Sequence, residues 1–283
     1  MSEILREWKD SAASWREHSA TIRQMFAPVT AALIQEAGIA AGHAVLDVAG
    51  GPGEPSLTIA EVVGPTGSVM CTDAVAEMVA AAAEEATRRG LTNVRFRQCS
   101  ADALPFADNT FDASVSRLGA MFFPDPVAAV REMLRVTKPQ GRLCYVVWGT
   151  SERNPFAYEV TNVVSRHVPA PPADPDAPGA FRFAERGKLA RVLEEAGATS
   201  VRERELVFHM EAPISVAQFW EMRSATSGTL REKLATLPAE QARQIGLEVQ
   251  EAVREFFPEG QMRFPAEMLI VSATRYPQIT QIV

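Results

Sequence analysis

The chain has 283 residues, 47% of them hydrophobic and 22% charged, a globular profile with material for a large core that excludes a disordered tail, a collagen and a disulfide miniprotein. At roughly 150 residues per domain this length suits one embellished domain or two small ones. Lys and Arg number 28 against 35 Asp and Glu, a net charge of −7 with no basic run, so a nucleic-acid partner is not expected.

The first residues mix charges of both signs, and no stretch nears the roughly eighteen uninterrupted apolar residues of a membrane span, so the expectation is a cytoplasmic protein with neither leader nor anchor. Trp8, Trp15, Ile22, Phe26, Val29 and Leu33 recur at helical spacings. They predict a helix packed on a sheet, or in a sharper reading a helix that also roofs a ligand pocket. Residues 45–48 are a short apolar run before a glycine cluster and read as a buried strand. Pro55 suits the first turn of a helix bearing Leu57, Ile59, Ala60 and Val63, which Gly64, Pro65 and Gly67 stop. A strand at 69–72 and an alanine-rich helix at 76–89 capped by Gly90 follow, then strands at 94–98 and 113–116. Asp125 is an N-cap candidate before Pro126, with Val127, Val130, Met133, Leu134 and Val136 on the helix behind it, and 142–148 is a fifth strand. Five strands alternating with helices predict a parallel, doubly wound sheet, whose ligands sit beyond the carboxyl ends of the strands where the strand order switches.

After residue 150 the pattern changes. A helix at 156–167 runs into a proline-rich connector, 168–179, expected to cross the surface. Leu189, Val192, Leu193 and Ala196 mark another helix, ended by Gly197. Strand-like runs at 201–210 and 268–274 can pair as a hairpin, and the mostly helical stretch between them reads as a cap added to the sheet. Cys71, Cys99 and Cys144 are odd in number and embedded in apolar runs, which fits reduced thiols better than disulfides or a metal site, and no metal is expected.

The informative segment is VLDVAGGPGEPS, residues 45–56. A strand that ends in glycines and turns into a helix presents backbone N–H groups and admits a ligand without meeting a Cβ. The dinucleotide pattern GxGxxG does not fit, because counting from Gly51 its third glycine is Ser56, and Asp47 is an awkward neighbour for a pyrophosphate. An acid there suits a cationic head instead. Asp73, 20 residues beyond Gly53, ends the second strand, where a carboxylate can accept both ribose hydroxyls. A nucleoside with a positive charge points to S-adenosylmethionine.

With VLDVAGGPGE, GPTGSVMCTD, SADALPFADNTFD and FFPDP…EMLRVTKPQGRL in order, the stretch from about 42 to 150 resembles the class I S-adenosylmethionine-dependent methyltransferases. Within them it is most similar to the ubiquinone and menaquinone biosynthesis C-methyltransferases and the type 11 group around them. The resemblance implies an α/β fold, a doubly wound (Rossmann-like), mostly parallel seven-stranded sheet with an antiparallel last strand, plus a helical cap. It implies S-adenosyl-L-methionine as cofactor and S-adenosyl-L-homocysteine as product. Ala49, Gly50, Gly51, Pro52 and Gly53 would line its methionine and ribose part, Asp47 would orient its amino group through water, and Asp73 would hold the ribose. Ala74 and Met78 would pack on the adenine, Ser100 and Ala101 would meet its edge, and Arg117 would contact the methionine moiety through its backbone. Three positions depart from the family: Ala49 replaces a glycine, Ser100 stands where an acid is commonest, with Asp102 as a substitute, and Gln140 replaces a turn glycine, so a type I turn is expected there.

Methyl transfer from a sulfonium is an in-line displacement that positioning and water exclusion can carry, so a dedicated catalytic residue is not required. Candidate bases are His18 and His209, with His167 and Glu54 also considered and His43 at the wrong end of the sheet. The nucleic-acid amino-methylating motif is missing after the fourth strand, which reads SRLGAMFFPDP, and no cysteine follows a proline, so a small-molecule acceptor is expected. Met121, Phe122, Phe123, Phe156, Tyr158, Phe181, Phe183, Phe219 and Trp220 are candidates for an apolar or aromatic pocket, although core packing accounts for at least half of them. The expected organisation is an N-terminal helical cap at 1–40, a cofactor-binding core at 41–150, a lid helix and connector at 151–188, completion of the sheet by 189–210 and 265–275, and a helical cap insertion at 211–264. Alternatives are a non-catalytic protein that binds the same cofactor and a nicotinamide-dependent oxidoreductase. Monomer and homodimer both remain open.

Overall fold

The structure, a computed structural model, describes residues 3–168 and 174–276. Three helices open it, α1 (Glu3–Glu17), α2 (Ser19–Met25) and α3 (Ala27–Glu36). The core then alternates β1 (Ala44–Val48), α4 (Ser56–Val63), β2 (Ser68–Asp73), α5 (Ala76–Arg88), β3 (Val94–Gln98), β4 (Phe111–Arg117), α6 (Pro126–Val136) and β5 (Thr137–Trp148). After α7 (Pro155–His167) and α8 (Lys188–Glu195), β6 (Thr199–Ala212) leads into α9 (Val216–Thr226), α10 (Gly228–Ala235) and α11 (Ala239–Ala252), and β7 (Met262–Thr274) returns to the sheet.

The sheet order is β3-β2-β1-β4-β5-β7-β6, with β1 to β5 parallel and β7 antiparallel to both β5 and β6. The expected doubly wound, seven-stranded sheet with an antiparallel last strand is therefore present. Its strand order reverses between β1 and β4, and the loops after these strands face each other there. Burial explains the local choices. Val45, Leu46 and Val48 of β1 are buried, as an interior parallel strand covered on both faces requires. In α6 the Asp125 carboxylate accepts the Ala128 N–H at 2.9 Å, Pro126 opens the helix, and Ala129, Val130, Met133 and Leu134 face the core.

Three expectations need correction. The N-terminal pattern is not one helix: the backbone breaks at His18 and Phe26, and Pro28, which lacks an N–H and fits only a first turn, starts α3 anew. Gln140 stands at φ +69, so the type I turn is not formed. Its N–H donates to the Arg275 carbonyl at 2.7 Å while Arg275 donates back to Gly141, and this pairing with the end of β7 holds the left-handed residue in place. The late strands are longer than their apolar runs, because the β6–β7 register continues to Ala212 opposite Met262, where both side chains are buried. Of the proline-rich connector, residues 169–173 lie outside the described residues; beyond them Gly179 donates to the Met121 carbonyl at 3.1 Å.

Candidate functional site

The glycine loop after β1 begins with Ala49 at φ +58, a conformation that costs a side chain about 1–2 kcal/mol. The space for its methyl comes from Gly119 on the loop after β4, where an added Cβ would lie 2.5 Å from that of Ala49. Gly119 was not singled out in the sequence. Gly51 has φ +54, and a Cβ there would meet nothing within 4 Å, so this backbone faces the open cleft where a ligand can approach. Gly50 is confined from behind instead: a Cβ would fall 2.7 Å from Cys71 Sγ and 2.8 Å from Asp47 Oδ2.

Asp47 is fully buried and does not line the cleft. Its Oδ2 accepts the Ser56 N–H at 3.1 Å and the Ser56 hydroxyl at 2.6 Å, and Oδ1 has no partner. Burial pushes its carboxyl up to about 7. Ser56, in the sequence only a mismatch to a dinucleotide motif, is thus the group that fixes the acid behind the loop. Asp73 does line the cleft. Its Oδ2 accepts the Gly51 N–H at 3.0 Å and its Oδ1 the Val75 N–H at 2.9 Å, so one carboxylate ties the loop of β1 to the end of β2. Burial raises its pKa as well.

Ala49, Gly50, Gly51 and Pro52 line one wall, with Ala74 and Met78 next to Asp73. Ser100, Ala101 and Asp102 complete that end, and the Ser100 hydroxyl is hydrogen-bonded to the Asp102 carboxylate. Gly53 is absent from the lining: a Cβ there would lie 2.8 Å from Leu57 Cδ1, so its place is in helix packing. Arg117 lines the cleft from the end of β4.

The far wall is aromatic. Phe122 and Phe123 follow β4, and Trp8, Trp15 and Phe26 come from the N-terminal helices, with Trp8 edge-on to Phe122 at 5.0 Å. The N-terminal helices thus stand across the cleft from the glycine loop. Among the described residues, none of the lid segment 151–188 or of the insertion 211–264 lines the cleft. Phe156, Phe183 and Phe219 are buried core, Met121 is buried outside the lining, Phe181 and Trp220 pack against the core, and Tyr158 is half-buried. The insertion instead backs α1, whose Trp15 indole N–H donates to the Thr226 carbonyl at 3.0 Å.

Among the described residues no histidine borders the cleft. His18 sits at the α1–α2 break, and His209 lies exposed on the edge strand β6, with Nδ1 3.3 Å from Arg263. His167 pairs with Glu248 at 2.8 Å, and His43 lies before β1. Glu54 does reach the lining, but Arg89 holds its carboxylate at 2.6 Å and the Thr58 hydroxyl donates to it at 2.7 Å. Among the described residues no cluster of three His, Cys, Asp or Glu side chains could bind a metal, the three cysteines are free, and no helix is long and apolar enough to cross a membrane.

Residues 39–197, more than half of the chain, match a family described as a methyltransferase domain. The ubiquinone/menaquinone biosynthesis C-methyltransferase UbiE of Cellvibrio japonicus is 42% identical over 111 residues, 39% of this chain and 45% of that protein. The match thus spans about half the length of such curated relatives. Among solved structures, a SAM-dependent methyltransferase from Aquifex aeolicus superposes over 94% of this chain and 98% of its own, with TM-score 0.56 and 19% identity. The 4+2 cyclase SpnF superposes over 88% of this chain and 80% of its own, with TM-score 0.51 and 22% identity. At these identities the likeness is one of fold.

Proposed function

The chain belongs to the class I S-adenosylmethionine-dependent methyltransferases, and from that premise we propose that it methylates a small, apolar or aromatic metabolite by in-line transfer. The family's cofactor is S-adenosyl-L-methionine, which sets the nicotinamide reading aside. One observation carries the proposal: Asp73 and the open backbone of Gly51 are tied together on one wall of a cleft whose opposite wall is aromatic. A carboxylate oxygen that accepts one backbone N–H keeps a lone pair free, so Asp73 can take the ribose hydroxyls without losing its hold on the loop.

In this reading Ala49, Gly50, Gly51 and Pro52 follow the methionine and ribose part, with Gly53 setting the loop's path and the Arg117 backbone at the methionine end. Ala74 and Met78 pack on the adenine, and Ser100, Ala101 and Asp102 meet its edge. Asp47, behind Gly50, supplies negative charge for the ammonium group; its partnerless Oδ1 supports that role. The bound cofactor supplies a methyl carbon already activated by the sulfonium. The protein's own share is positioning and drying: Trp8, Trp15, Phe26 and Phe122 exclude water from the line of attack. The N-terminal helices, within the cap expected over 1–40, form the roof, 41–150 the cofactor half, and 211–264 the support behind the roof. A cytoplasmic setting with a small-molecule partner, as a monomer or homodimer, belongs to the same reading and is supported by the free thiols and the acidic balance.

Titration calorimetry with S-adenosylhomocysteine tests the cofactor site. Asp73→Ala should weaken binding by about tenfold or more, since it removes charge-assisted acceptors. Unchanged affinity would refute the assignment. Incubating the protein with cofactor and a panel of aromatic metabolites should then yield a methylated product by mass spectrometry. The SpnF likeness shows that this fold also serves a protein named as a cyclase. Tight cofactor binding with no transfer across the panel would accordingly favour a non-catalytic cofactor-binding protein.

A further inference from the structure

Arg117 carries more than a backbone contact. Its residue is more than nine-tenths buried, yet it lines the cleft. Of the five N–H donors of a guanidinium, one on Nη1 donates to the Thr30 hydroxyl at 2.7 Å and one on Nη2 to the Glu54 carbonyl at 3.0 Å. Nε is buried without a partner. Among the described residues it forms no ion pair: Glu54 is taken by Arg89, and Asp47 is turned to Ser56. Burying a cation without an ion pair is costly, and unused guanidinium donors on the wall of a cleft leave part of that cost to be met by a ligand.

The position separates this cation from the nucleoside end. Asp73, Ala74 and Met78 belong to β2 and α5, on the far side of the glycine loop. Arg117 extends from β4 toward α3, its guanidinium 5.5 Å from the ring centre of Phe26, and Phe26 packs edge-on to Trp148 at the end of β5. That corner is the aromatic end of the cleft, next to the methionine end of the cofactor in the proposed reading and therefore where the acceptor would approach. Burial draws the Arg117 pKa below its ordinary value, and the nearby charges of Glu54 and Asp47, neither of them paired with it, only partly oppose the fall.

We propose that the Arg117 guanidinium, steadied by Thr30, binds an anionic group of the acceptor, so that the substrate class is an aromatic or apolar organic acid. This rests on the methyltransferase reading and narrows its acceptor. The cleft also contains Asp73, Glu54, Glu85, Asp102 and Asp125 with Arg23 as a second cation; Arg23 is exposed, so Arg117 is the buried one, desolvated and held in place, that can draw in a carboxylate. A planar guanidinium with free donors matches a carboxylate better than any ammonium could.

The test uses the full chain saturated with S-adenosylhomocysteine and two probes of one shape, cinnamate and its neutral amide, titrated by calorimetry. The wild type should favour cinnamate by roughly ten- to hundredfold. In Arg117→Gln the acid-to-amide ratio should fall to near one, and Arg117→Lys, which keeps the charge, should retain part of the preference. The proposal is overturned if the wild type binds both probes alike or neither. It is equally overturned if Arg117→Gln weakens S-adenosylhomocysteine as much as cinnamate, which would give the guanidinium to the cofactor's carboxylate. Should the Gln variant fail to fold, the wild-type ratio and the Lys variant still decide. Failure of the underlying reading appears separately, as no S-adenosylhomocysteine binding before any probe is added.

Discussion

Replacing Asp47 by asparagine should make the ligand-free protein more stable at neutral pH and worse at holding its cofactor. The native carboxyl keeps its proton up to about 7, because it is buried with one oxygen unpartnered, whereas the unfolded chain releases it near 3.8. Between these values the native state binds more protons than the unfolded state, so the ionisation of Asp47 lowers the unfolding free energy as pH rises through the window. The full effect, at 1.36 kcal/mol for each pH unit, is about 4 kcal/mol and is complete above pH 7. Asparagine does not titrate. Its amide would place an NH2 where Oδ1 or Oδ2 stands, a fixed penalty of about 1–3 kcal/mol that is the same at every pH. The stability difference between Asp47→Asn and wild type should therefore move in favour of the variant by about 4 kcal/mol from acid to neutral pH, while the other carboxylates cancel. Urea unfolding across that range, followed by tryptophan fluorescence, measures it. Parallel curves would refute the reasoning. An ammonium group beyond Gly50 would lower the Asp47 pKa, so S-adenosylhomocysteine should release a proton on binding near neutrality and bind more weakly as pH falls.

Other variants probe the loop, the turn and the roof. Gly50→Ala places a methyl 2.7 Å from Cys71 Sγ and 2.8 Å from Asp47 Oδ2, both buried, and should cost about 1–3 kcal/mol in urea unfolding; adding Cys71→Ala should recover part of it. Gln140→Gly relieves a side chain at φ +69 and should stabilise the fold by about 1 kcal/mol by the same measure. Trp15→Phe loses the hydrogen bond to the Thr226 carbonyl, about 1 kcal/mol, and faster amide exchange in α9 and α10 should follow if the insertion braces the roof.

The alternation of apolar strands with helices was legible in the sequence because it depends on local patterns: period two or continuous burial for strands, Pro and Asp at helix starts, glycine at helix ends. The succession of β1 to β5, the glycine loop after β1 and Asp73 at the end of β2 followed from that alternation and from chain spacing, while the register of the strands came from the structure. The left-handed Gln140 and the break at His18 did not, since one is imposed by pairing with the end of β7 and the other falls where neither Pro nor Gly marks it, whereas Pro28 was a local signal for the restart at α3.

The site divides the same way. By itself the sequence determined the doubly wound core and brought the glycine loop, Asp73 and the segment after β3 to neighbouring strand ends, because the fold class dictates the order of those ends. Tertiary structure alone decided that Ser56 holds Asp47, that Gly119 makes space for Ala49, that Trp8 and Trp15 form the opposite wall while the insertion stands behind them, and that the Arg117 side chain is a buried cation with donors to spare. Apart from the Ser56–Asp47 bond, which spans nine residues, these rest on contacts between segments far apart in the chain. Residue type says what a side chain can bond, but burial and distance, which only the packed molecule supplies, decide what it does bond.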